Sequence, residues 1–196
     1  VSLPITGSAL AVSINWGDTT SSSILSHTYS GTGPYTAVIT VTSGTVTRFG
    51  NGNAAGWTGY GWLSEVATTD TSNWGLPGVS SFSGAFRGCW RLTVVPTQIP
   101  SSVTDTSSMF PSCSIFNQDI GNWDVSQVTN MEYMFLNTPF NGDISGWNVS
   151  SVTDMRCMFF RSSFNGDISG WNVSSVTSMI NIFYNCPISE DHKPAF

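Results

Sequence analysis

Apolar positions in the second half of the chain recur every 24 or 25 residues. Val79, Phe82, Ala85 and Phe86 are matched by Val103, Thr106, Met109 and Phe110, then by Val128, Met131, Met134 and Phe135. Val152, Met155, Met158 and Phe159 follow, and then Val176, Met179, Ile182 and Phe183. Spacing of i, i+3, i+6 and i+7 predicts a short helical turn, with Thr104, Thr129, Thr153 and Thr177 placed as N-caps. The half-repeat in front reads Ile-x-x-Trp-x-Val-x-x-Val, as in Ile144, Trp147, Val149 and Val152, and is strand-like with its apolar side chains turned inward. A period of this length predicts a solenoid, because one such unit cannot bury its apolar face alone. The expected architecture is mainly β with short helical turns, in about five 24-residue rungs over 79–196 with a C-terminal cap.

The first fifty residues carry a different pattern. Val12, Ile14 and Trp16 alternate with Ser13 and Asn15, and Tyr35, Ala37, Ile39 and Val41 alternate with threonines. Both stretches read as half-buried strands, separated by Gly17-Asp18, a Ser/Thr-rich run and Gly31-Thr-Gly-Pro34, which are loop signals. Residues 1–50 are therefore expected to form a small antiparallel β unit. Residues 51–78 read as a connector and N-terminal cap of the solenoid, with buried aromatic content from Trp57, Tyr60 and Trp62.

Charged residues are only 9% of the chain, against about a quarter in ordinary soluble domains, and Ser, Thr, Asn and Gly fill the polar positions instead. That profile favours β-rich extracellular proteins over cytosolic enzymes. A net charge of −6 with a single lysine, Lys193, leaves no basic patch for a nucleic acid. No stretch approaches the roughly 20 consecutive apolar residues that span a bilayer. A start at Val1 reads as a processed or excised segment.

Particular residues also carry resemblances. Trp16-Gly-Asp18, His27-Thr-Tyr29 and Gly33-Pro-Tyr35-Thr-Ala-Val38-Ile-Thr-Val41 resemble the signatures of PKD-type domains, Ig-like extracellular sandwich modules, here shortened and with Thr19 where the family usually has Gly. Ile-x-x-Trp-x-Val-x-x-Val resembles the leucine-rich-repeat hallmark, and Ala85-Phe-Arg-Gly-Cys89 with Leu92 and Ile99-Pro100 looks like BspA-type repeats. Rungs from Phe116 onward resemble the FNQDISxWDVSxVTxMxxMF variety of mycoplasmal and other bacterial surface proteins. The resemblance implies an exposed, secreted or cell-surface anchored protein, with adhesion or partner binding as its usual role and no assigned chemistry.

Against that background each ladder of identical residues has a plain reading and a chemical one. Asp119, Asp143 and Asp167 would stack about 5 Å apart, satisfied by local N–H groups with Asn117, Asn141 and Asn165, or by Ca²⁺, the one cofactor their oxygens would suit. Turn-capping is the simpler reading, so neither a metal nor another cofactor is expected. A ladder gives its carboxylates one shared environment, whereas a glycosidase needs two different ones. His27 belongs to the PKD-like motif and His192 to a polar tail, so no catalytic triad assembles and enzymatic activity is not expected. Trp123, Trp147 and Trp171 would bind sugars as an exposed strip, but the hallmark spacing places them in the core. Regularly spaced threonines at 104, 129, 153 and 177 could order water on a flat face, with N-capping the preferred role.

Cys89, Cys113 and Cys186 share one repeat slot with Thr138 and Ser162, which reads as a small, buried, weakly polar ladder; Cys89 and Cys113 are close enough in rung spacing for oxidation to a disulfide. Cys157 lies outside that slot. Asn148-Val-Ser150 and Asn172-Val-Ser174 match the glycosylation sequon through the repeat itself.

Binding is expected from the few side chains that differ between otherwise identical rungs: Gln127, Glu132, Tyr133, Leu136, Arg156, Phe160, Arg161, Ile180 and Tyr184, with Tyr133, Glu132, Arg156, Arg161 and Tyr184 as the candidate site. The expected function is a non-enzymatic extracellular surface protein that binds a protein or glycan on a host or neighbouring cell. Alternatives are a structural subunit of an extracellular filament, surface layer or virion appendage, built from identical subunits, and a carbohydrate-binding module.

Overall fold

A computed structural model describes residues 5–15, 21–22, 38–50, 63–66 and 74–195. Strands β1 (Ile5–Asn15), β2 (Ser21–Ser22) and β3 (Val38–Phe49) form an antiparallel sheet of order β2-β1-β3. The two alternating stretches meet across it, with Val12 opposite Val41 and Ile14 opposite Ile39. The Trp16-Gly-Asp18 and His27-Thr-Tyr29 motifs, residues 33–37, and Trp57, Tyr60 and Trp62 lie outside the described residues.

Strand β3 does not stop at the sheet. Arg48 makes a parallel bridge to Ser81, Phe49 N–H donates to Ser81 O at 2.9 Å, and Val46 N–H donates to Pro77 O at 2.9 Å. Val46 is fully buried and the Phe49 ring lies 6.2 and 5.9 Å from those of Phe82 and Phe86. The packing therefore runs across the division expected near residue 50, because the C-terminal end of β3 is also the first layer under the repeats.

From there the rungs lie one upon another. Parallel bridges link Ser81 to Asp105, Asp105 to Asn130, Asn130 to Asp154 and Asp154 to Ser178. Apolar slots make continuous columns. Phe86, Phe110, Phe135, Phe159 and Phe183 stack with centroids 5.5 to 5.9 Å apart, and Phe116, Phe140 and Phe164 form a second column at 6.2 and 6.3 Å. The columns interlock at 4.3 Å through Phe110–Phe116, Phe135–Phe140 and Phe159–Phe164. Each contact adds roughly 0.5–1.5 kcal/mol beyond burial of the rings.

The Val-Thr-x-Met-x-x-Met-Phe half is not a helical turn. It is a ribbon of successive turns in which Tyr133 and Asn137, and their counterparts Cys157 and Arg161, hold φ between 53° and 58°. A left-handed residue every fourth position prevents a helix and lets alternate N–H groups leave the ribbon sideways. In the third rung, Met131, Tyr133, Phe135 and Asn137 donate to the carbonyls of Asp154, Arg156, Met158 and Phe160 in the fourth at 2.8–2.9 Å. The groups between them close local turns, such as Met134 N–H to Met131 O at 3.2 Å. The strain of non-glycine residues at positive φ, about 1–3 kcal/mol each, is offset by a complete set of inter-rung hydrogen bonds.

The threonines do not cap helices either. Thr104, Thr129, Thr153 and Thr177 are exposed, and each sends its hydroxyl to the carbonyl one rung back, with Thr153 Oγ1 at 3.1 Å from Thr129 O. The backbone N–H of each threonine donates to that same carbonyl at 2.8–2.9 Å, so hydroxyl and amide together tie the rung to the one before it. The half-repeat expected to be a strand is instead linked by turns, with Trp147 N–H to Ile144 O at 3.1 Å and Val152 N–H to Val149 O at 2.9 Å. Side chains couple its rungs. The indole Nε1–H groups of Trp123, Trp147 and Trp171 donate to the carbonyls of Pro96, Ile120 and Ile144, and Asn117 and Asn141 accept from the backbone N–H of Asn141 and Asn165 at 2.7 Å.

The C-terminal tail begins one more half-repeat. Ile188 is buried in the slot of Phe164, Ser189 N–H takes the Asn165 Oδ1 at 2.9 Å, and a 3₁₀ turn at Glu190–His192 receives the Ile168 N–H on His192 O. Among the described residues the only helical segment is this one turn.

Candidate binding face

Four positions of each turn ribbon lie between the slots of the apolar columns, and the chain varies there. In the first two rungs they hold Ser83, Gly84, Arg87 and Gly88, then Ser107, Ser108, Pro111 and Ser112. In the last three they hold Glu132, Tyr133, Leu136 and Asn137, then Arg156, Cys157, Phe160 and Arg161, then Ile180, Asn181, Tyr184 and Asn185. Bulk, aromaticity and charge thus gather at the C-terminal end of one side.

The stacking brings these side chains together in two groups. Arg156 places Nη2 2.8 Å from Asp154 Oδ2 and 3.1 Å from Glu132 Oε1, while its Nε donates to Asp154 at 2.9 Å. Glu132 is 8% exposed, and its carboxylate pairs with Arg156. Tyr133 lies beside Cys157, and partial burial raises both the phenol and the thiol above their ordinary ranges. In the second group the rings of Phe160 and Tyr184 stack at 4.9 Å and the Arg161 guanidinium sits 5.4 Å from the Phe160 ring. Tyr184 is 52% and Ile180 65% exposed, a concentration of aromatic, arginine and aliphatic surface of the kind that carries binding energy at interfaces.

The carboxylate ladder lies elsewhere. Oδ1 of Asp119, Asp143 and Asp167 accepts the N–H of Gly121, Ser145 and Ser169, each at 2.9 Å. Those bonds hold Asp143 and Asp167 below the usual carboxylate range. With Asn141, Ser145 and Asn165 they border a shallow depression of about 320 Å³. Among the described residues no three His, Cys, Asp or Glu side chains converge as metal ligands. The Trp ladder is in the core, with Trp123, Trp147 and Trp171 between 2% and 5% exposed.

Cys89 and Cys113 are buried free thiols, the former pushed up to about 12 by desolvation and the latter held well above the ordinary thiol range by burial first and then by the neighbouring Cys89. Cys113 donates to Phe86 O at 3.0 Å. Cys157 and Cys186 are free as well. A surface feature the repeat pattern does not announce is Trp90, 44% exposed with Arg91 4.6 Å over its ring. Its signal in the sequence is the interruption at residues 88–100, where the regular half-repeat has not yet begun.

No curated protein and no solved structure matches the chain. The family described as Mycoplasma protein of unknown function, DUF285, matches residues 80–194, the stacked rungs and their C-terminal tail. That match covers more than half of the 196 residues, and the chain is a member of the DUF285 family.

Proposed function

We propose that the chain is a non-enzymatic, extracellular binding protein: a BspA-type, leucine-rich-repeat-like solenoid preceded by a PKD-like β unit, displayed at a cell surface and engaging a protein or glycan partner. The observation that supports this reading is the division of labour in the rungs. Every buried slot repeats, and the side chains that break the repeat collect as Phe160, Arg161, Ile180 and Tyr184 on one exposed side. A regular scaffold with local variation on one face is suited to recognition. With Glu132 and Arg156 paired to each other, the weight of binding falls on the Phe160–Tyr184 stack, Arg161 and Ile180.

The test is a screen of purified chain against immobilised extracellular-matrix proteins and glycans, repeated with Arg161→Ala, Ile180→Ala and Tyr184→Ala. Saturable binding that falls at least tenfold in these variants, with unchanged thermal stability, supports the assignment. Binding that is indifferent to all three places the partner elsewhere.

A further inference from the structure

Two asparagines on successive rungs share an arrangement that the fold does not require. Asn148 and Asn172 are exposed, Val149 and Val173 after them are buried, and Ser150 and Ser174 return toward the surface. Oδ1 of Asn148 accepts the Ser150 N–H at 3.2 Å and the Ser150 hydroxyl at 2.7 Å, and Oδ1 of Asn172 accepts the Ser174 N–H at 3.1 Å. With Oδ1 fixed, Nδ2 is the free end of each amide and has no partner among the described residues. In the third rung Asp124 closes the same turn, taking the Ser126 N–H on Oδ1 at 3.0 Å. Turn closure therefore does not call for asparagine. Nor does charge, because Asp119, Asp143 and Asp167 keep a carboxylate in one slot of three successive rungs, each closing its own turn. The space beside the two amides is also cleared. Gly146 and Gly170 stand two residues ahead of them, where the third rung has Asn122. A Cβ at either glycine would meet nothing within 4 Å, and neither holds a positive φ. Alanine would fit both and restrict the unfolded chain, so the backbone gives no reason for glycine there.

We propose that Asn148 and Asn172 are acceptor sites for N-linked sugar, with a sugar diphosphate as the donor. Both begin an Asn-x-Ser sequence in which x is not proline, and no other asparagine of the chain does so. Asn141 and Asn165 are exposed too, but they spend Oδ1 on the N–H of Asn165 and Ser189 one rung on, and an aspartate instead of a serine stands two residues after each. In the transfer Nδ2 attacks the anomeric carbon of the donor. The nitrogen–carbon bond forms, the bond from that carbon to the diphosphate oxygen breaks, and the diphosphate leaves with the electron pair. The amide proton passes to a base of the transferase. The serine hydroxyl is the group that makes an asparagine an acceptor, and Ser150 already holds it against the Asn148 amide. Both sites lie in the tryptophan half of the rung, so the sugar is anchored off the ribbon that carries Phe160, Arg161 and Tyr184.

The test uses chain isolated from the cells that make it. Trypsin separates the two sites, since Asn148 falls in residues 92–156 and Asn172 in the peptide that starts at Ser162. Mass spectrometry of these peptides should show sugar on Asn148, on Asn172 or on both. A single hexose that peptide N-glycosidase leaves in place marks a nucleotide-linked donor, whereas an oligosaccharide that it removes, converting asparagine to aspartate, marks a lipid-linked one. Ser150→Ala and Ser174→Ala should each lose the sugar at their own site, and Ser150→Thr should keep it. Asn148→Asp, which copies Asp124, should lose it with the melting temperature unchanged. Unmodified asparagine at both positions, or sugar that persists after the serine-to-alanine changes, would overturn the proposal. Location is read on the same preparation: chain found only inside the cell sinks the extracellular reading above, while the state of the two amides decides this one.

Discussion

Replacing one phenylalanine of the central column should cost far more in the middle of the stack than at its end. Phe135 is fully buried and contacts rings on three sides, Phe110 at 5.8 Å, Phe159 at 5.7 Å and Phe140 at 4.3 Å. Phe135→Ala leaves a cavity closed by rungs that their own hydrogen bonds hold in place, at a cost of about 4 kcal/mol. Phe183 occupies the same slot in the last rung, partly exposed and with one ring of its column beside it, Phe159 at 5.9 Å. Phe183→Ala should therefore cost roughly 1–2 kcal/mol, less than half as much, since little cavity is left and only one stacking partner is lost. Urea unfolding followed by tryptophan fluorescence measures both. A central loss that also lowers the m-value would show the stack dividing at the third rung, as nearest-neighbour coupling between rungs predicts. Equal losses for the two variants would refute the reasoning, because they would mean that the column does not couple one rung to the next.

Further outcomes follow from individual contacts. Asn137 holds φ 54° at an exposed position, so Asn137→Val should destabilise by about 1–2 kcal/mol while Asn137→Gly stays near neutral, as thermal melts would report. Asn141→Ala removes the acceptor of Asn165 N–H and should cost about 1 kcal/mol in the same assay. The depressed carboxyls of Asp143 and Asp167 add stability above their unfolded value near 4, and that stability is lost as pH falls through their lower folded values; a double Asn replacement, which keeps the acceptor oxygens, should flatten the acid limb of Tm against pH. Ca²⁺ or EGTA should leave Tm unchanged, since the N–H groups of Ser145 and Ser169 already occupy the aspartates.

The column residues were the most legible part of the sequence, because a slot that must be filled in every rung leaves a strict period: Phe135, Met131 and Trp147 can be picked out by counting. Backbone conformation was less legible. The spacing of Val128, Met131, Met134 and Phe135 is the same whether the segment winds as a helix or turns as a ribbon. The discriminating signal was the residue in the left-handed slot, which is Gly84 in the first rung but Tyr133 and Cys157 later, where packing forces a conformation those residues do not favour. The exposed threonines were misjudged for the same reason, since an N-cap needs a helix to follow it. At the candidate face, sequence variation picked out positions that gather on one side of the rungs, but it did not separate Glu132, buried against Arg156, from Tyr184, which is open. Pairing across rungs is a three-dimensional fact that no single repeat contains.

The account rests on ribbons that donate forward from rung to rung, and scalar couplings through hydrogen bonds read that directly. Couplings from the amide nitrogens of Tyr133, Phe135 and Asn137 to the carbonyl carbons of Arg156, Met158 and Phe160 are the predicted result. Couplings from Phe135 and Asn137 to Met131 and Tyr133, four residues back as in a helix, would contradict it.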